Sequence, residues 1–101
     1  MDGFSLATPE QVSKTLAARI KALRLAKGWK QITLARRSGV SLASLRRFEE
    51  SGRISLQSLL ALAFALHRLD DFDALLQPPR AASLAELEVA EKRPARKRGR
   101  I

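Results

Sequence analysis

With 101 residues the chain has room for one domain with a core of its own, and a formal charge of +9 without a single cysteine excludes a disulfide scaffold. His67 is the only histidine, so a zinc site of cysteine and histidine ligands has nothing to be built from. The opening "MDGFSLATPEQ" has neither a basic stretch nor an apolar one, and the longest apolar run, "LLALAFAL" at 59–66, is too short to span a bilayer; a soluble, cytoplasmic protein without a membrane partner is expected.

The distribution of charge says more than its total. Residues 14–53 carry eleven Lys or Arg against Glu49 and Glu50, residues 54–91 carry six acids against two Arg, and the last ten, "KRPARKRGRI", carry six cations and no acid. Two basic regions thus flank an acidic one, which points to a polyanion partner for the first half and a separate role for the tail.

In chain order, Val12, Leu16, Ile20 and Leu23 recur at spacings of four, four and three, the period of one buried helix face. Thr8 and Pro9 form a start signal and Gly28 a stop, predicting a first helix over about 9–27. In "KQITLARRSG", Ile32 or Leu34, with Ala35, can face inward; a short second helix over about 31–37 ends at Gly39. Ser41 is placed to cap a third helix running to about Glu50, ended by Ser51-Gly52. A fourth begins at Ser55, and its Leu56, Leu59, Leu60, Leu62, Ala63 and Leu66 predict a central core helix, apolar on most sides. Asp70 or Asp71 could cap a brief fifth helix, "DDFDALL", closing the core with Phe72, Leu75 and Leu76. The expected organisation is an all-α, five-helix domain over 8–77 and a flexible basic tail over 78–101.

Within the tail, "SLAELEVAEK" has capping-box spacing at Ser83 and Glu86 and a narrow stripe at Leu84 and Leu87 that Ala90 could extend, so a short helix at 83–92 is expected only when a partner buries it. Three readings of the tail stay open: a DNA-grasping arm, a segment that folds onto a protein, or a solubility tail.

The stretch "SGVSLASLRRFEESG" carries the functional signal. At 100° per residue, Ser44, Leu45 and Phe48 fall on one side of the third helix, Ala43, Arg46, Arg47 and Glu50 on the other, and Leu42 at the boundary. Guanidiniums can bond guanine O6 and N7 in pairs, and Ala43 or Leu42 can meet a thymine methyl. Ala35 would let the second and third helices cross closely and Gly39 would supply the tight turn, which is helix-turn-helix geometry. Ser41, Leu42, Ala43, Arg46 and Arg47 are therefore the candidate base-reading residues. Lys30, Arg36, Arg37, Ser44 and Arg53 are candidates for phosphate contacts, which fix register without reading sequence.

"RIKALRLAKGWKQITLA", "SGVSLASLRRFEESG" and "ISLQSLLALAFAL" together resemble the Xre/Cro, or phage-repressor-like, helix-turn-helix family over residues 14–76, with Gln31 and Leu34-Ala35 at the family's Q-x-x-L-A positions. The resemblance implies that Gln31 contacts phosphate, that Leu42, Ala43 and Arg47 face bases, and that Arg24 pairs with Glu49. It further implies a homodimer on a pseudo-palindromic operator in double-stranded DNA. Lys30 stands where relatives often have a capping Ser or Thr, and Leu42-Ala43 where they are often polar, which moves readout toward methyl contacts and the two arginines. The end of the chain resembles HipB-type antitoxins, whose partners are HipA-like kinase toxins.

Other features are read plainly. Ser41 and Ser44 have no histidine near them in sequence and no phosphate-cradling G-x-x-x-x-G-K loop exists, so neither enzyme chemistry nor a cofactor is expected. Trp29 and Phe64 are expected in the core rather than as base-stacking platforms.

Overall fold

The computed structural model describes residues 7–79. They form four α-helices, α1 (Pro9–Ala26), α2 (Gln31–Ser38), α3 (Leu42–Ser51) and α4 (Leu56–Ala65), followed by a 3-10 turn, Leu69–Phe72. No strand occurs among the described residues. The tail and its expected helix at 83–92 lie outside them.

Most of the helix ends have a local reason. The Thr8 hydroxyl accepts the Gln11 amide at 3.2 Å while the Gln11 side-chain oxygen accepts the Thr8 amide at 2.9 Å, a complete capping box at the start of α1. Ser41 and Ser55 cap α3 and α4 by accepting the amides of Ser44 and Ser58, each at 3.1 Å. Lys30, at the head of α2, supplies no side-chain cap. Gly39 and Gly52 end α2 and α3 in the left-handed conformation, φ 79° and 81°, and return their amides to Ala35 and Phe48.

Packing follows from which faces are apolar. α1 lies against α3, and α2 against both α3 and α4. Phe48, Leu34, Leu45 and Leu62 are the largest fully buried side chains, each contributing about 1.5–3 kcal/mol by leaving water. Of the two inward options in α2, Leu34 takes the core at 0% exposure and Ile32 stays 37% exposed. In α1 the buried line is Ala17, Ile20 and Arg24, flanked by the half-buried Leu16 and Leu23.

Two expectations are corrected. Segment 70–76 is not a fifth α-helix. The 3-10 turn covers Leu69–Phe72, His67 and Leu76 take left-handed φ of 61° and 59°, and Pro78 follows. So short a stretch between two left-handed residues cannot repay helix nucleation; Phe72 packs on the core, while Leu75 and Leu76 are exposed. Asp70 and Asp71 sit inside the turn instead of capping it, and Asp71 pairs with Arg68 at 2.9 Å. Nor is α4 buried on most sides: Leu59, Leu62 and Ala63 enter the core, but Leu56 and Phe64 are 66% and 69% exposed.

Candidate nucleic-acid interface

The residues of interest converge because two short helices meet across three residues. α2 ends at Ser38 and α3 starts at Leu42; between them Gly39 turns left-handed, Val40 is buried and Ser41 caps. The Val40 amide donates to the Ser38 hydroxyl at 3.1 Å. Ala35, 5% exposed, has no side chain beyond Cβ to hold α3 away.

α3 is divided sharply between its faces. Leu45 and Phe48 are buried at 0% and 1%, whereas Ala43, Arg46, Arg47 and Glu50 are exposed and Leu42 is half-buried. Neither Arg46 nor Arg47 is tied to an acid among the described residues, where the ion pairs join Arg24 to Glu49 and Arg68 to Asp71. Ser41 is committed to structure: its oxygen accepts the Ser44 amide and its proton goes to Ser44 Oγ at 2.8 Å. That leaves Ser44 the hydroxyl with a proton to donate outward.

The far end of α3 is held by charge. Arg24 Nε donates to Glu49 Oε2 at 2.8 Å and Arg24 Nη2 to Glu49 Oε1 at 2.9 Å, with the two side chains only 7% and 4% exposed. Arg24 Nη1 donates to the Trp29 carbonyl at 2.8 Å, and Gln31 Nε2 to Glu49 Oε1 at 3.0 Å. One carboxylate on α3 is thereby bonded to α1 and α2 together. Gln31, the residue expected at phosphate, spends a side-chain N–H on Glu49; its backbone amide, at the uncapped head of α2, remains available as a donor.

Lys30, Arg36, Arg37 and Arg53 are all exposed. Arg37 is held, with its guanidinium 4.6 Å from the centre of the Trp29 ring, and Lys27 approaches the same ring at 5.4 Å. Trp29 is thus half-buried against the core and also a platform for two cations, a role its sequence context did not signal.

Beside α3 lies a cleft of about 450 Å³ lined by Ser44, Arg47, Arg53, Ile54, Ser55 and Ser58. Sequence reasoning named Ser44, Arg47 and Arg53 but put them in two groups, bases and phosphates; here they line one surface. It missed Ser55 and Ser58 as lining residues, because neither a capping serine nor the serine whose amide it accepts carries a mark of what lies in front of it. The arrangement can hold an anion through two guanidiniums and hydroxyl donors. Among the described residues no cluster of acids and histidine suited to a metal ion occurs, and no helix is long and apolar enough to cross a membrane.

No match to the chain was found among curated proteins or among solved structures. Residues 20–68, from within α1 to just past α4, match the family model described as helix-turn-helix.

Proposed function

We propose that the protein is a transcriptional repressor that binds double-stranded DNA in a sequence-specific way, with α3 in the major groove. The observation that carries this reading is the division of α3: its leucine and phenylalanine are buried, while Ala43, Arg46 and Arg47 face solvent in the segment that matches the helix-turn-helix model. The cations of residues 14–53 supply the sequence-independent attraction to phosphate. Lys30, Arg36, Arg37, Arg53, Ser44 and the amide of Gln31 are assigned to phosphates, and Leu42, Ala43, Arg46 and Arg47 to bases. Ser41, engaged in its cap, contributes at most one remaining lone pair.

The protein acts as a homodimer on a pseudo-palindromic operator with half-sites about one helical turn apart, roughly 34–36 Å. Segment 69–76 and the tail are the places for the dimer contact. It is the antitoxin of a toxin-antitoxin pair, repressing its own operon, and the tail holds a HipA-like kinase toxin; this assignment rests on the resemblance of the chain's end. A second reading makes partner capture the main role and DNA secondary. The exposed Leu75 and Leu76 at the exit to the tail favour it.

The experiment compares binding to operator and to random duplex. Arg47→Ala lowers discrimination by about 1–3 kcal/mol, whereas Lys30→Ala weakens all duplexes alike and flattens the salt dependence by about one unit of slope. Unchanged discrimination in Arg47→Ala rejects the assigned reading face. Similar affinity for unrelated duplexes at every salt concentration rejects a specific repressor. Removing residues 80–101 separates the two readings: loss of partner capture alone divides the labour between domain and tail, and loss of DNA binding alone makes the tail a grasping arm.

A further inference from the structure

Two guanidiniums share the cleft beside α3 without an acid. Arg47, within α3, and Arg53, in the turn that follows it, both line the space, and no aspartate or glutamate does. Both side chains are exposed, and among the described residues neither guanidinium forms an ion pair or a side-chain hydrogen bond. Ser44 Oγ accepts from Ser41 at 2.8 Å and Ser55 Oγ from the Ser58 amide at 3.1 Å, so the hydroxyl protons of Ser44, Ser55 and Ser58 are free to be donated into the cleft. Ile54, packed on the core, adds an apolar wall.

We propose that this cleft is a seat for a small molecule that ends in a phosphate monoester, and that such a molecule competes with DNA for Arg47. Charge and shape select this class. A phosphate monoester carries about −1.5 to −2 near pH 7, which matches two guanidiniums and relieves their mutual repulsion, whereas each diester phosphate of DNA carries a single charge. The guanidinium forks and the hydroxyls supply donors for three terminal oxygens. The volume of about 450 Å³ is more than a phosphate group fills, and lies within the roughly 300–1,000 Å³ of small-molecule sites. The remainder, against Ile54, suits the body of the ester.

Sharing sets the consequence. The DNA reading sends Arg47 to a base and Ser44 and Arg53 to phosphates, so an ester that engages all three withdraws them from the duplex together. A ligand that binds only the DNA-free chain lowers the population able to bind DNA, and a phosphorylated small molecule thereby relieves repression. The seat itself needs no DNA, while this effect on DNA rests on the repressor reading. The DNA backbone is the other source of the same chemistry, and the experiment separates the two.

Phenyl phosphate is the probe and dimethyl phosphate stands in for the DNA backbone, each titrated into the full chain at constant ionic strength and followed by the amide resonances. Phenyl phosphate shifts the amides of Arg47, Arg53, Ser55 and Ser58 to saturation and binds about tenfold more tightly than dimethyl phosphate, as one further charge-assisted contact gives. Arg53→Gln weakens phenyl phosphate about tenfold for the same reason; it leaves the turn intact, because only the backbone amide of Arg53 bonds there, to Ser51 Oγ. Lys21→Gln, which removes an exposed cation that does not line the cleft, changes binding little. Saturating phenyl phosphate also weakens duplex binding beyond the effect of sodium chloride at equal ionic strength. The proposal is overturned by shifts that spread over the surface cations without saturating, by equal losses in the two variants, or by duplex binding that is unchanged when the ester saturates. Dimethyl phosphate binding as tightly as phenyl phosphate also overturns it, by assigning the cleft to the DNA backbone. A chain that takes the ester but binds no duplex keeps the seat and loses the repressor reading; one that binds duplexes but not the ester does the reverse.

Discussion

Removing the carboxylate of Glu49 should cost far more than its place on a surface helix suggests. Its side chain is 4% exposed and that of Arg24 is 7% exposed, so both charges have left water. Glu49→Ala strips the guanidinium of two charge-assisted bonds, at 2.8 and 2.9 Å, and leaves it only the Trp29 carbonyl; the Gln31 amide loses its acceptor as well. A buried charge stripped of its partner costs about 3–5 kcal/mol, a large share of the 5–15 kcal/mol typical of a whole domain. With a urea slope of about 1–1.5 kcal/mol per molar for so small a domain, the midpoint falls by roughly 2–5 M. Replacing both partners, Arg24→Met with Glu49→Leu, should return most of that loss, because no charge then remains to be solvated. The assay is urea unfolding followed by far-ultraviolet circular dichroism on the wild type, both single variants and the double variant. A loss below about 1 kcal/mol in Glu49→Ala, the range of an exposed pair, would refute the claim that the pair is desolvated.

Three further outcomes follow from local geometry. Gly39 and Gly52 share the same left-handed backbone, but a Cβ at Gly39 meets nothing within 4 Å whereas one at Gly52 would stand 2.9 Å from the Ser13 carbonyl carbon and 3.0 Å from the Lys14 nitrogen. Gly39→Ala should therefore cost about 1 kcal/mol and Gly52→Ala about 2–4 kcal/mol, measured by the same unfolding; equal costs would mean that α1 yields freely. Ser55→Ala removes the cap of α4 and should cost about 1 kcal/mol, with no cost if water caps the helix equally well. Arg37→Ala should lose about 0.5–1 kcal/mol of cation–π attraction and change the emission of Trp29, the only tryptophan, while Lys27→Ala, farther from the ring, should do less; identical spectra would contradict the stacking.

What could be read from the chain is what local chemistry decides. Capping serines, left-handed glycines and the apolar pattern of Leu45 and Phe48 are local, so the starts of α1, α3 and α4 and the ends of α2 and α3 are written where they occur. Tertiary choice is different. Ile32 and Leu34 have nearly the same claim on the core by hydropathy, and only the position of α3 and α4 gives it to Leu34. The apolar excess of α4 misled for a related reason: hydropathy says that Leu56 and Phe64 prefer to leave water, but not that the described residues offer them a place to go. The exposed guanidiniums of α3 were legible as a face; that Arg47 also lines a cleft with Arg53 and Ser55 was not, because that cleft is made by the turn between α3 and α4.

The placement of the buried charge bears on how α3 is aimed. Apolar contacts press Leu45 and Phe48 against the core, but burial itself is non-directional, so they define the rotation of the helix less specifically than a directional bond does. A pair of parallel bonds from a guanidinium to a carboxylate prefers one rotation. Glu49 stands two residues beyond Arg47 and takes its bonds from α1 and α2 together, while the other end of α3 is fixed by the Gly39 turn and the Ser41 cap. A helix pinned at both ends by directional bonds and pressed in the middle by apolar ones keeps its outward guanidiniums in a set orientation. On the proposed reading that orientation is what a bidentate contact to a base edge needs, because the donor fork fails when it is rotated out of the base plane.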